Sequence, residues 1–303
     1  MDWWIILIIV LSSLLVIFLS FSFIAGGIGL HKLLFPETYN RKVCFDTDVE
    51  KGLIDEQVKA WEKKQVTLKG YNDYKIHGEI TLHDPKKWVI FAHGYTWARE
   101  GGYKYMKLFD RLGFSMLTYD ARGHGDNVKT AVTLGYFESK DLSKIIDSLR
   151  EQYGEDIVIG LHGESMGAAT VLETLNYQKN LSFVIADSPF ADMRMLMKIQ
   201  VKRFIPLPYL VYFSDIILKM KYHFSMKDVQ PRKSVIGINT PILLIQGSGD
   251  TLIPPKHTQM IKEAGNDIEL TYFPDVDHTD SYFSFPKQYE ERELQFLKEH
   301  KII

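Results

Sequence analysis

Apolar residues follow three different rhythms along this chain, and each predicts a different kind of element. Between positions 3 and 30 there is no Asp, Glu, Lys or Arg, and Ile, Leu, Val and Phe dominate. About 20 apolar residues carry a helix across a bilayer, so this run is long enough to span one. A cleaved signal peptide wants a cationic start and an apolar core of about 7–15 residues. Here the start is Met1-Asp2-Trp3-Trp4, without a cation, and the run is too long; an uncleaved anchor over 1–30 is expected. Trp3 and Trp4 would sit in the aromatic belt of one interface.

A charged connector over 31–65 follows, with weak helical spacing near 53–61. Beyond it the rhythm changes. Tyr74, Ile76, Gly78, Ile80 and Leu82 recur at period two and predict a half-buried strand. Short continuous apolar runs at 88–92, 114–119, 157–161, 183–186, 242–246 and 268–273 predict buried strands. Helical spacing appears at 103–112, 140–153, 168–177 and 289–298. Strands alternating with helices predict an α/β fold, a mostly parallel sheet with helices on both faces, filling 66–303. At about 189–234 the alternation stops, and Pro206, Pro208 and short apolar stretches predict a helical cap.

Composition narrows the functional classes. With 303 residues, 46% of them hydrophobic, the chain buries a sizeable core and is neither fibrous nor disordered. A formal charge of −2 argues against nucleic acid as a partner. Cys44 is the single cysteine, which excludes an intrachain disulfide and a cysteine-ligated zinc site. The distribution of charge says more than its sum. Lys32, Arg41, Lys42 and Lys51 follow the apolar run and no cation precedes it, so the larger domain is expected on the cytoplasmic side of a cell membrane, with a single span. The cap holds nine basic and three acidic residues, a net +6. That charge either keeps a lid soluble or faces anionic headgroups, where each cation contributes about 1 kcal/mol. Met193, Met195, Met197, Phe204, Leu207, Tyr209 and Phe213 add a deformable apolar lining suited to an acyl chain.

The candidate chemistry begins at Gly163-Glu164-Ser165-Met166-Gly167, directly between a predicted strand and a predicted helix. That is the strand–turn–helix context in which G-x-S-x-G presents a nucleophilic serine. A serine needs a base to take its proton, and the base needs an acid to orient it. In this fold the order is serine, acid, histidine. Asp250 follows the strand at 242–246 and His278 follows the strand at 268–273, each just past a carboxyl end, where open α/β sheets bind ligands. Asp187 also follows a strand and is the alternative acid.

With His93-Gly94-Tyr95-Thr96 and Asp120-Ala121-Arg122-Gly123-His124-Gly125 added to these motifs, the chain from about 66 onward resembles the α/β-hydrolase superfamily. It is most similar to bacterial membrane-tethered serine hydrolases, in which Ser-Met-Gly-Ala and Ala-Asp-Ser-Pro-Phe stand as they do here at 165–168 and 186–190. The resemblance implies an oxyanion hole from the amides of Tyr95 and Met166, and a loop-ordering role for His93. It leaves Arg122 and His124 as turn organisers and Glu164 as the variable elbow residue. Asp275 and Asp277 read as loop carboxylates, and no metal or cofactor is expected. Cys44 is expected to lie outside the hydrolase core and to be inert. The reading is a membrane-anchored serine hydrolase of carboxylic esters with acyl or lipid-like substrates. Membrane lipid around the span is its partner, and a thioesterase, acyltransferase, peptidase or non-catalytic scaffold are the alternatives.

Overall fold

The computed structural model describes residues 2–303. In chain order its elements are α1 (Trp3–Leu34), α2 (Arg41–Glu50), α3 (Glu56–Ala60), β1 (Lys64–Lys69), β2 (Lys75–Thr81), β3 (Asp84–Ala92), α4 (Tyr103–Arg111), β4 (Phe114–Tyr119), α5 (Tyr136–Tyr153), β5 (Val158–Glu164) and α6 (Met166–Thr174). There follow β6 (Phe183–Asp187), α7 (Met193–Phe204), α8 (Leu210–Tyr222), α9 (Pro231–Ser234), β7 (Ile242–Gly247), α10 (Lys256–Ala264), β8 (Ile268–Phe273), α11 (Ser281–Ser284) and α12 (Pro286–Glu299).

The strands form one eight-stranded sheet in the order β1-β2-β4-β3-β5-β6-β7-β8. Only β1 with β2 and β2 with β4 are antiparallel; every other pairing is parallel. Period-two geometry sends alternate side chains to opposite faces, and here both faces are covered. Along β3, Trp88, Ile90 and Ala92 enter the layer under α5 and α6, while Val89 and Phe91 enter the layer under α4 and α12. The same split divides Ile242 and Leu244 from Leu243 and Ile245 along β7. That two-sided burial is why these strands read as continuous apolar runs. Helix α5 answers with Leu142, Ile145, Ile146 and Leu149 on one stripe.

The predicted α/β-hydrolase architecture is observed, with differences that have local causes. Helix α5 starts at Tyr136, four residues before the expected start at 140, because Glu138 reaches back to the Gly135 amide (2.9 Å) and the Thr133 amide (2.7 Å). Its first turn is set by a cap, not by periodicity. Strand β1 escaped prediction because it is a polar edge strand, with only Val66 and Leu68 half-buried. Helix α10 buries only His257, Thr258 and Ile261, too thin a stripe for a periodic signal. The connector holds α2, capped by Asn40 (Oδ1 to the Val43 amide, 2.9 Å). Arg41 of α2 pairs with Glu79, Glu100 and Asp126. Cys44 is therefore not outside the core: it is fully buried, and burial, with Glu100 and Asp48 nearby, pushes its thiol up to about 12. A thiol held protonated is chemically quiet.

The apolar helix α1 runs on to Leu34, beyond the expected boundary at 30, and its last turns dock on the protein. Ser22, Gly26, Leu30 and Leu34 form its buried stripe, one residue per turn. Gly26 lies against the α8 backbone, where Ser214 Oγ donates to its carbonyl (2.9 Å). The end of α1 is tied down by Tyr95 Oη donating to the Leu33 carbonyl (2.7 Å) and by the Val132 amide donating to the Leu34 carbonyl (2.8 Å).

Candidate active site

Strand β5 delivers Ser165 to the carboxyl edge of the sheet and α6 begins at the next residue. The turn between them is extremely tight. A Cβ on Gly163 would stand 2.3 Å from the Gly167 carbonyl oxygen, and one on Gly167 would stand 2.0 Å from that of Ala92. Both positions therefore require glycine, since nothing can shift that far in the backbone. Ser165 itself takes φ 55°, ψ −112°, a conformation that a side-chain-bearing residue adopts only when its surroundings enforce it. Thr96 and Ser188, on the two neighbouring loops, also carry positive φ.

The structure brings together the three residues that the sequence singled out. His278 Nε2 lies 2.8 Å from Ser165 Oγ, and His278 Nδ1 lies 2.7 Å from Asp250 Oδ2. Asp250 is buried and held: Oδ1 accepts the Ile253 amide (2.8 Å) and Oδ2 accepts Gln246 Nε2 (2.8 Å). A carboxylate on Nδ1 leaves Nε2 free to accept a proton from the serine side. Asp187, the alternative acid, faces elsewhere. It accepts from Tyr289 Oη (3.1 Å) and Ser188 Oγ (2.8 Å), and burial beside Glu164 raises its carboxyl to about 6.

The amides of Tyr95 and Met166 donate to no acceptor among the described residues. Both are free for an incoming anion, and Met166 opens α6, where the helix dipole favours negative charge. His93 is a scaffold residue: its Nε2 accepts the Ala121 amide (2.8 Å) and its Nδ1 meets the Gly94 carbonyl (2.8 Å). His124 takes the Thr96 amide (3.2 Å), and burial, with His93 beside it, lowers it to about 3, so both rings stay neutral. Arg122 pairs with buried Asp141.

Two groups of residues gave no sequence signal as parts of a site. Beneath the elbow, Lys104 from α4 pairs with Glu164, which also accepts Tyr105 Oη (2.5 Å). Burial opposes the charge on Glu164, but Lys104 and Tyr105 hold its carboxyl below the usual range. Glu164 is thus an anchored buried anion, not a free variable position. Asp277, at the surface, stitches together the loops that carry Asp250 and His278 by accepting the amides of Thr251 (3.0 Å) and His278 (2.8 Å), which lowers its pKa. Only chain contacts distant in sequence reveal either role. No cluster of three His, Cys, Asp or Glu able to hold a metal exists among the described residues.

A cleft of about 760 Å³ opens between the last turns of α1 and the cap, bounded by Gly29 and Leu33 on one side and Val201 and Leu210 on the other. The expected cap lining is split: Met193 and Met197 are buried, whereas Phe204 is 85% exposed.

A model of the prolyl oligopeptidase family matches residues 103–301. An uncharacterized Bacillus subtilis protein, YqkD, is 28% identical over 279 residues, covering 90% of this chain and 92% of its own. The lysophosphatidylserine lipase ABHD12 of Macaca fascicularis is 25% identical over 175 residues, 55% of this chain and 42% of the lipase. Among solved structures, the Pyrococcus furiosus esterase Pf2001 matches with a TM-score of 0.66 and 26% identity, over 81% of this chain and 95% of the esterase.

Proposed function

The chain belongs to the prolyl oligopeptidase family and is a hydrolase of the α/β-hydrolase fold; on that premise we propose that it is a membrane-anchored serine hydrolase of carboxylic esters. The observation that carries the reading is His278, placed between Ser165 Oγ and Asp250 Oδ2 at 2.8 and 2.7 Å. Ser165 attacks the acyl carbonyl while His278 accepts its proton. The amides of Tyr95 and Met166 take the developing oxyanion, each donor of this kind being worth roughly 10²–10³-fold in rate. His278 returns the proton to the leaving alcohol. A water activated by the same imidazole then releases the acid, and Asp250 holds the ring throughout.

The family's name raises peptide hydrolysis as a second reading. An aminopeptidase needs a carboxylate for the substrate ammonium, and the three cap acids are all engaged within the cap. Asp192 caps α7 through the Met195 amide (2.9 Å), Asp215 pairs with Arg194 and Asp228 accepts the Ser225 amide (2.7 Å). The matching esterase points the same way.

For the anchor, two features support the membrane reading: α1 is long and apolar enough to cross a bilayer, and cations flank it only on its C-terminal side, favouring a cytoplasmic hydrolase domain. Because Gly26 and Leu34 are packed and hydrogen-bonded to the domain, cleavage within α1 would strip a packed face from the cap. The direct test is turnover by the full chain in detergent. Wild type is expected to hydrolyse p-nitrophenyl butyrate, and Ser165→Ala and His278→Ala each to lose at least about 10³-fold in kcat. Wild-type activity on peptide anilides without activity on esters would replace the ester reading with the peptidase one.

A further inference from the structure

Resting on the ester reading, we propose that the cleft between α1 and the cap is this enzyme's acyl-chain site, that it opens sideways into the bilayer, and that the anchor helix is one of its walls. The ligand class is the single long acyl chain of a membrane lipid ester, arriving from hydrocarbon and not from water.

The depth of the cleft follows from how α1 and α8 pair. Phe18 meets Tyr209 in a tilted pair (5.7 Å between centroids), Phe23 meets Phe213 (5.0 Å), and a Cβ on Gly27 would meet Ile217 at 3.4 Å. The two helices therefore climb in the same direction. With Trp3 at the far interface, a core of about 30 Å at 1.5 Å per residue ends near residue 22 or 23. Tyr209 is then level with a residue inside the hydrocarbon, and so is the start of α8. From Phe204 to Ser214 there is no charged residue, and Phe204 and Ile205 are 85% and 45% exposed. An apolar turn at that level is solvated by lipid. Lys202 and Arg203 before it, and Lys219 and Lys221 after it, have no ion-pair partner among the described residues and suit anionic headgroups.

The lining of the cleft includes Phe21, still within the hydrocarbon by that reckoning, Ala25 just past its edge, and Phe204 and Ile205 of the cap. Three more of its lining residues, Leu30, Leu33 and Met226, pack in one apolar cluster with Met166 and Tyr95, the residues flanking the Ser165 elbow. A largely apolar surface, interrupted by Lys32, Gln200 and Ser214, thus runs from bilayer depth toward the candidate oxyanion hole. Its volume suits one small-molecule ligand. Lys32 is the single charge on the described lining and no carboxylate is there. The two glycines of α1 in the cleft have opposite surroundings. A Cβ on Gly26 would press on Phe213 and the Ser214 amide at 3.1 Å, whereas one on Gly29 meets nothing within 4 Å. Gly26 seats the helix on the cap; Gly29 leaves a chain's width of space.

Gly29→Leu therefore fills the cleft without pushing on α8. In nanodiscs of phosphatidylcholine and phosphatidylglycerol, the full chain bearing Gly29→Leu is expected to show at least a tenfold fall in the ratio of kcat/KM for p-nitrophenyl palmitate over butyrate. An unchanged ratio overturns the proposal. A second measurement needs no turnover: a diazirine-bearing palmitate, photolysed with full-length Ser165→Ala in the same nanodiscs and mapped by mass spectrometry. Crosslinks are expected at 28–33 and 197–201, and to fall when Gly29→Leu is added. Crosslinks confined to the lipid-facing residues 5–17 overturn the proposal. If the wild type turns over neither ester, the ester reading fails, and the crosslink map still decides the cleft.

Discussion

The sheet with its carboxyl-edge loops and the α1–cap assembly are held together by different physics. Around the elbow, polar groups dominate: Lys104 pairs with Glu164, Arg99 with Asp120, and Arg122 with Asp141, all inside the fold. Such pairs fix geometry because any displacement leaves an unpaired charge in a poor dielectric. The cap meets α1 through apolar side chains and the Ser214–Gly26 hydrogen bond, and much of its surface is bare: Phe204, Tyr212, Ile216 and Met220 are all exposed. Apolar contact is non-directional and tolerates sliding. A nucleophile needs positioning to fractions of an ångström, whereas a lid of the kind proposed here would need to admit a flexible chain. The division between a rigid polar frame and a compliant apolar lid matches those two tasks.

Four substitutions would sharpen or break this contrast. The largest effect is expected at Asp250→Asn, which keeps the shape but leaves His278 without its anion; kcat should fall about 10³–10⁴-fold with the fold intact by circular dichroism. A loss below tenfold would mean that another group orients His278. Next comes Lys104→Met, which strands Glu164 and should lower unfolding free energy in urea by about 3–5 kcal/mol. Stability within about 1 kcal/mol of wild type would show that the polar frame contributes little. Gly26→Leu should disturb the lid alone: overpacking of about 1–3 kcal/mol predicts faster hydrogen exchange across α7 and α8, with the amides of β3 and β5 unaffected. Uniform acceleration would erase the distinction between the two regions.

The smallest effect lies on the seam between them. Burial raises the Glu173 carboxyl, on α6 beneath α9, from its ordinary 4.5 to about 7. The folded state therefore keeps a proton that the unfolded chain gives up, so this group's favourable contribution is full below about pH 4.5 and is lost as pH rises through 7. Glu173→Gln removes that slope. Melting between pH 5 and 8 should show the variant gaining on wild type as pH rises, by about 1–2 kcal/mol at pH 8; parallel curves would mean that Glu173 is charged in the fold.

The same division governs what could be read from the chain alone. Ser165, Asp250 and His278 were legible because each sits on a short segment just past a buried strand, and strands buried on both faces announce themselves as apolar runs. The elbow glycines carried the same local signal. The partners that hold these residues did not: Lys104 is 60 positions from Glu164, and a lysine on a helix reads as a solvated face until tertiary contact buries it. Helix α1 was legible as a long apolar helix, and its docking on α8 was not, since the pairing joins Gly26 to Ser214 across the whole domain. Edge strand β1 and helix α10 were missed for a simpler reason, too few buried positions to make a rhythm.

The most direct test of the hydrolytic mechanism is covalent. A fluorophosphonate reacts with a serine that a neighbouring base has activated and that an oxyanion hole faces. Incubated with the full-length protein and digested for mass spectrometry, it is expected to modify Ser165 stoichiometrically, to lose that adduct in His278→Ala, and to leave Ser165→Ala unlabelled. An unreactive wild type, or equal labelling of Ser165→Ala, would contradict the mechanism outright.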